Sequence, residues 1–386
     1  MTLYFDYAAS TPVDPVVADA MAEALRSPEL QANCASAHQP GRMARERVEA
    51  ARADVAALIG ARADEIVWTS GATESNNLAV IGAARFRAGR GRHLVTSVTE
   101  HASVLGSCRY LEGEGFKVTY LVPDAAGILD PGSVAEAIRL DTTLVSVMQV
   151  NNETGVIQDI AAMGELCRAR DVLLHVDAVQ AAGRELIDVR AQGVDLLSLS
   201  AHKMHGPKGA GAPYLNGERI RRIEPLFHGG GQERGLRPGT LATHQAIGMG
   251  VAARLARERW RADKARLTGL RERLWEELRR IPGVLLNGHA TRRACHILNV
   301  SVAGVEGESL LFALRDLAVS SGSACASDND EPSAVLRHLG RPDELAQSAI
   351  RFSLGRSTMD NEVVQAAAVF RSAVVHLRRL SPAAVA

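Results

Sequence analysis

Through the first two thirds of the chain, short apolar runs alternate with segments of helical period. Glu65–Thr69, His93–Ser97, Lys117–Leu121, Leu144–Val150, Val172–Val176 and Asp195–Ser200 read as strands. Between them, Glu74–Phe86, Ala102–Glu112, Pro131–Arg139 and Ala161–Arg170 read as helices. Ahead of this series lie an extended, turn-rich stretch over residues 1–14, a short helix at Val16–Leu25 and a longer one at Gln39–Ile59. The longer helix sets Met43, Val48, Ala51, Val55 and Leu58 on one side. Strand and helix in alternation predict an α/β domain around a mainly parallel sheet, whose strands are apolar because both faces are covered. Such sheets take ligands outside the carboxyl ends of their strands.

From about Ala242 the pattern changes. Ala246–Arg280 is one long helical stretch or two in series. Cys295–Val302 and Ile350–Leu354 read as strands, Val319–Gly322 as extended, and Gly307–Leu317, Glu331–Leu339 and Asn361–Leu380 as helices. The expected division is a large domain over 15–250 and a smaller α+β domain built from 1–14 and 251–386.

Composition narrows the function classes. The 386 residues carry 44 Lys+Arg against 44 Asp+Glu, so no overall charge argues for nucleic acid or an acidic membrane. No apolar run is long enough to cross a bilayer, and the N-terminus has no signal-peptide pattern. The five cysteines form no CxxC pair, so neither a metal site nor a disulfide framework is expected, and a reducing cytoplasm fits.

Candidate chemistry collects at predicted strand ends. Lys203 follows Leu196–Ser200 and precedes a glycine turn. It is either a surface lysine or a desolvated amine able to hold an aldehyde cofactor such as pyridoxal phosphate. Ser70-Gly-Ala-Thr73 stands between a strand and a helix, as a plain N-cap or as a phosphate cup. Asp177, ending an apolar strand, needs a partner: an arginine, a helix start or a pyridinium N–H. Gln180 is placed to meet a ring hydroxyl. His101 is either structural or a flat ring for stacking and proton transfer. Asn152 could bond a ring hydroxyl or a substrate carboxylate, or serve the loop before Gly155. The glycine-rich stretch His228–Thr240 is not a dinucleotide motif, because no strand leads into a GxGxxG. Cys325, among small and polar residues, suits an exposed thiol on a loop, and Arg351 suits a ligand carboxylate or a structural ion pair. Together these supply each part that one pyridoxal-phosphate site needs.

The same residues carry a family resemblance. Tyr4-Phe-Asp-Tyr-Ala-Ala-Ser-Thr-Pro12, Thr69-Ser-Gly-Ala-Thr-Glu-Ser-Asn-Asn77, Glu100-His-Ala-Ser103, Asn151-Asn-Glu-Thr-Gly155 and His175-Val-Asp-Ala-Val-Gln180 occur in order. They are followed by Ser200-Ala-His-Lys203, Gly206-Pro-Lys-Gly209, Arg237-Pro-Gly-Thr240, Ser321-Gly-Ser-Ala-Cys325 and Ile350-Arg-Phe-Ser-Leu-Gly355. With them the chain resembles the cysteine desulfurases of the NifS/IscS group, which are fold-type I pyridoxal-phosphate enzymes. The resemblance implies a large domain with a mainly parallel seven-stranded sheet beside a smaller α+β domain. It also implies a homodimer, L-cysteine as substrate, and a sulfur-acceptor protein such as a scaffold or carrier of iron–sulfur assembly. By the same resemblance Lys203 holds the cofactor aldehyde, Asp177 the pyridine nitrogen and Gln180 the ring hydroxyl, while His101 stacks on the ring and assists proton transfer as a catalytic residue. Thr73, Ser200 and His202 bind the phosphate, with Thr240 arriving from the other protomer. Asn152, Arg351 and Asn33 hold the substrate carboxylate, and Cys325 accepts the sulfur. The chain departs from the family pattern in places: Cys34 replaces a usual proline, Met204-His205 replaces an aliphatic–Tyr pair, and the C-terminal residues show no family ending.

Overall fold

A computed structural model describes residues 2–220, 222–321 and 332–380. Its main sheet has six strands in the order Lys117–Leu121, His93–Ser97, Thr142–Met148, Leu173–Asp177, Leu196–Ser200 and Gly211–Leu215. The first five are parallel, and Gly211–Leu215 closes the edge antiparallel. The four strands from His93 to Ser200 are buried along their whole length, as the uninterrupted Val and Leu runs require.

The sheet corrects the expected count of seven. Residues 66–69 lie beside Gly211–Leu215 but touch it only through isolated bridges, Ile66 to Tyr214 and Thr69 to Gly211. The missing N–H of Pro213 gives the physical reason: the Val67 amide donates to the Pro213 carbonyl at 3.0 Å, but Pro213 can return no bond to Val67, so the ladder breaks. On the opposite side the Trp68 amide donates to Glu233 at 2.7 Å, and Arg52 and Arg234 take the Ile66 carbonyl at 3.1 and 3.2 Å. Glu233 is itself clamped by the Arg52 guanidinium at 2.7 and 2.8 Å, a bidentate pair that is almost fully enclosed. The strand Gly211–Leu215, which contains Pro213, was not foreseen. It fits an edge, where a missing N–H is tolerated.

One long helix, Thr243–Leu278, serves both halves of the molecule. Ala246, Met249, Ala252, Ala253 and Ala256 pack into the core under the main sheet. Leu267, Leu270, Leu274 and Leu278 pack into a second core with Phe5, Val300, Phe352 and Phe370. That second core backs a four-stranded antiparallel sheet ordered Ser320–Ser321, Ile350–Ser353, Ile297–Val302 and Val284–Leu286. The N-terminal strand Leu3–Tyr4 pairs with Leu317–Ala318, and Asp6 bridges to Ser353. Residues 3–6 are thereby tied to the C-terminal half. Among the described residues no helix is long and apolar enough to cross a membrane, and no cluster of metal-ligating side chains occurs.

Candidate active site

The carboxyl ends of the parallel strands open into one cavity of about 600 Å³. Thr73, His101, Asn152, Asp177, Gln180, Ser200, His202, Lys203 and Arg351 all line it. These residues come from separate strand ends plus the second sheet, so folding brings together what the chain spreads over 279 positions (351−73+1). Two expected residues fall outside. Thr240 is exposed and borders a smaller hollow of about 190 Å³ with Arg237 and Gln245. Asn33 is exposed on a turn, where its side chain accepts from the Ala35 amide at 2.9 Å. Cys325 lies outside the described residues.

The floor is acidic. Asp177 ends its strand nearly enclosed, with Oδ1 accepting from the Val179 amide at 3.0 Å and Oδ2 from Asn76 Nδ2 at 2.8 Å. Glu100 lies close by, and burial, with the Asp177 charge beside it, pushes its carboxyl well above the usual range. Two residues before Asp177, on the same face of the strand, His175 is fully buried between Ser146 Oγ at 2.8 Å and Ser198 Oγ at 3.1 Å. Burial lowers its pKa to about 4. An unfolded histidine takes up its proton below about 6.5, well before the folded one, so stability is full above that pH and is lost as pH falls toward 4. We expect His175 alone to cost about 3 kcal/mol across that window. Denaturant titrations at pH 7.5 and 4.5 should show His175→Gln losing less stability than the parent; equal losses would remove His175 as the source.

The wall is a helix start. Ala72–Phe86 begins after Gly71 with no side-chain capping bond among the described residues, so its first amides point outward unclaimed by a cap. Its start abuts the edge strand so closely that a Cβ at Gly211 would sit 2.5 Å from Gly71 Cα, so position 211 needs glycine. Glu74 steadies the turn by accepting from the Ser70 amide at 2.8 Å and hydroxyl at 2.6 Å, while Arg237 Nε binds its other oxygen at 3.0 Å. Opposite stand Ser200 and His202. His202 Nδ1 meets Ser10 Oγ at 3.2 Å, and burial, with Lys203 and Lys208 nearby, lowers its pKa to about 4. It is therefore a neutral hydrogen-bonding ring there.

Lys203 closes the other side. Its Nζ donates to the carbonyls of Ala8 at 2.6 Å and Ala9 at 2.8 Å, which aims the amine across the mouth of the cavity. Gln180 reaches the same N-terminal turn through the Ala8 carbonyl at 2.9 Å and meets His296 at 3.2 Å. After the lysine, His205 adopts a left-handed φ of 64° and lodges its Nδ1 3.0 Å from the Pro12 carbonyl. His205 thus anchors residues 11–12, its amide donating to Thr11 Oγ1 at 2.8 Å, while Met204 is buried in the main core.

Arg351 makes the structural ion pair that was one of its two readings, and it also lines the cavity. It is buried, paired with Asp6 at 3.0 Å, and donates to the Asn152 carbonyl at 2.8 Å and to Ser320 Oγ at 3.1 Å, while its Nε has no partner among the described residues. A fork with donor capacity left over at a cavity wall suits a carboxylate. Asn76 was missed at sequence level. It is fully buried and bridges Asp177 to Ser103.

The chain matches the family model "Aminotransferase class-V" over residues 3–365. It belongs to that family. Among curated proteins it is 54% identical over 383 residues to "Cysteine desulfurase IscS" of Aeromonas hydrophila, covering 99% of this chain and 95% of that protein. It is 55% identical, with the same coverage, to the protein of that name from Ectopseudomonas mendocina. Within the class-V family it is therefore a member of the cysteine desulfurases of the IscS kind. Solved structures agree: a "NIFS-LIKE PROTEIN" superposes with TM-score 0.91 at 34% identity, covering 98% of this chain and 100% of that one. DndA from Streptomyces lividans gives 0.76 at 39%, covering 91% and 99%.

Proposed function

We propose that this chain removes sulfur from L-cysteine with pyridoxal phosphate, releasing L-alanine and leaving a persulfide on Cys325 for an acceptor protein. The observation that carries the reading is the meeting of Lys203, Asp177 and an uncapped helix start around one cavity. The donor set fits the cofactor. Asp177 would hold the pyridine nitrogen and Gln180 the ring hydroxyl. His101 would cover the ring face, Lys203 would hold the aldehyde carbon, and the Ala72 helix start with Thr73, Ser200 and His202 would hold the phosphate. When bound, the cofactor supplies a sink for the electron pair left by the substrate's α-proton. The chain's own residues do the rest. Arg351 and Asn152 hold the substrate carboxylate. Lys203, once free, stands where an α-proton can be taken up and returned. The Cys325 thiolate takes the sulfur: one S–S bond forms and one C–S bond breaks. The C–S electron pair stays on the three-carbon fragment, which picks up a proton and leaves as alanine. No outside oxidant or reductant is needed.

Thr240 sits off the cavity of its own chain on an exposed stretch, which supports a homodimer in which each Thr240 serves the other copy's phosphate. The acceptor is a protein thiol or a scaffold of the iron–sulfur assembly type, and the compartment is the cytoplasm. The division into domains at 15–250 and 251–386, with 1–14 joining the second, is part of the same proposal. Two cores joined by the helix Thr243–Leu278 support it. The test is product analysis of the cofactor-loaded protein with L-cysteine. Alanine and protein-bound sulfur in equal amounts are expected, and a keto acid in place of alanine would overturn the reading.

Arg351→Lys should separate binding from chemistry. Lysine keeps the charge but loses the planar fork, so KM for cysteine should rise about tenfold with a smaller change in kcat. An unchanged KM would return Arg351 to a purely structural pair with Asp6.

A further inference from the structure

We infer that Ser103 and Asn76 hold His101 in a single neutral tautomer, with its proton on Nε2, and tie that ring to the Asp177 carboxylate. The inference rests on reading the cavity as the cofactor site, and it concerns residues to which neither the family motifs nor the sequence assigned a role.

The directions of four hydrogen bonds fix it. The Ser103 amide lies 3.1 Å from His101 Nδ1. An amide N–H can only donate, so Nδ1 must offer a lone pair. Ser103 Oγ also lies 2.8 Å from Nδ1. That hydroxyl already accepts from Asn76 Nδ2 at 2.9 Å, so its own proton is available to point at Nδ1. The second proton of Asn76 Nδ2 goes to Asp177 Oδ2 at 2.8 Å. Turning the amide over would set Oδ1 against the carboxylate, so its orientation follows from Asp177. Asn76 is fully enclosed and Ser103 nearly so, which keeps water from substituting for any member. Ser107 Oγ donates to the Ser103 carbonyl at 2.8 Å and steadies the turn.

A ring whose Nδ1 is engaged by two donors resists a second proton, because an N–H there would face the Ser103 N–H. Among the described residues the charged or titratable groups around it come from several elements: Glu100 ahead of its own helix, Glu153 after Thr142–Met148, Asp177, Lys203 and Arg351. Against that mixture the two donors decide the state. His101 then meets the flat cofactor as an uncharged stacking surface whose single donor is Nε2, and does not act as a base in the resting protein. Asn76 and Ser103 are positioning residues. They act through His101 and Asp177.

The test uses the full chain with its cofactor bound and ring-¹⁵N-labelled histidine, the His101 signals being identified by their loss in His101→Gln. At pH 7 the unmodified protein should show an unprotonated Nδ1 and a protonated Nε2. Ser103→Ala should raise the His101 titration midpoint by about one pH unit and lower kcat about tenfold with KM little changed. Ser103→Thr, which keeps the hydroxyl, should restore both. A protonated Nδ1 in the unmodified protein at pH 7 would overturn the inference even if no variant folds, as would a Ser103→Ala protein with an unmoved midpoint. Absence of alanine formation by the unmodified protein would instead sink the proposed function and leave the tautomer result to be read on its own.

Discussion

Lys203→Ala protein is expected to lose the visible absorbance that the bound cofactor gives the unmodified chain, and to lose alanine formation by at least about 10⁴-fold. The amine stands at the mouth of the cavity, held by the Ala8 and Ala9 carbonyls at 2.6 and 2.8 Å. No other lysine is placed to replace it. Lys208 also lines the cavity but is exposed on the far side of the Gly206–Pro207 turn. The fold should survive, because the two carbonyls lose a donor at a half-buried position, at a cost of about 1 kcal/mol each. The cofactor should still enter, since Asp177 and the uncapped helix start are untouched. Prolonged dialysis should then remove it from the variant and not from the parent. Absorbance of the loaded variant before and after dialysis checks this, and a retained, unchanged band would refute the role of Lys203.

How much of the site could be read beforehand depends on where each residue sits. Lys203, Asp177, His101 and Asn152 each follow an apolar run, and strand ends in a parallel sheet converge, so their meeting was legible from pattern and residue type. Arg351 was legible as a buried arginine, but not that Asp6 would share it, because that contact joins the two ends of the chain. Asn76 was illegible as a site residue because it lies inside a helix. The available signal was an amide on the same helical face as Ala79, Val80 and Ala83, where a buried polar group must find partners. Thr240 and Asn33 were named through resemblance alone, and a single copy of the chain places neither at the cavity. The strand count erred for a local reason. Residues 65–69 have strand composition, but the residue that meets Val67 across the edge is Pro213, which has no N–H to return to the ladder. Composition cannot report which residue of a distant strand will lie opposite.

Cys325→Ser protein should keep the cofactor absorbance, yet form alanine and bound sulfur from cysteine at least about 100-fold more slowly. The other four cysteines make poor acceptors. Burial pushes the thiols of Cys108 and Cys167 up to about 12 and that of Cys295 up to about 11, so almost none is thiolate at neutral pH. Cys34 is also raised by burial and sits beside Asn33, away from the cavity. The residues that flank Cys325 in the chain are anchored beside the site. Ser320 binds both Arg351, at 3.1 Å, and Asp6, at 2.7 Å, and Ser333 donates to Glu153 at 2.5 Å, next to Asn152. Cys325 follows Ser321 by four positions in the chain, a stretch that can extend at most about 14 Å. Serine keeps the shape but is a far weaker nucleophile, and its oxygen cannot store a persulfide. Cys34→Ser, by contrast, should change the rate less than about twofold. Counting sulfur bound per chain after one turnover, with and without each substitution, separates the cases: full sulfur loading of Cys325→Ser would transfer the acceptor role to another thiol.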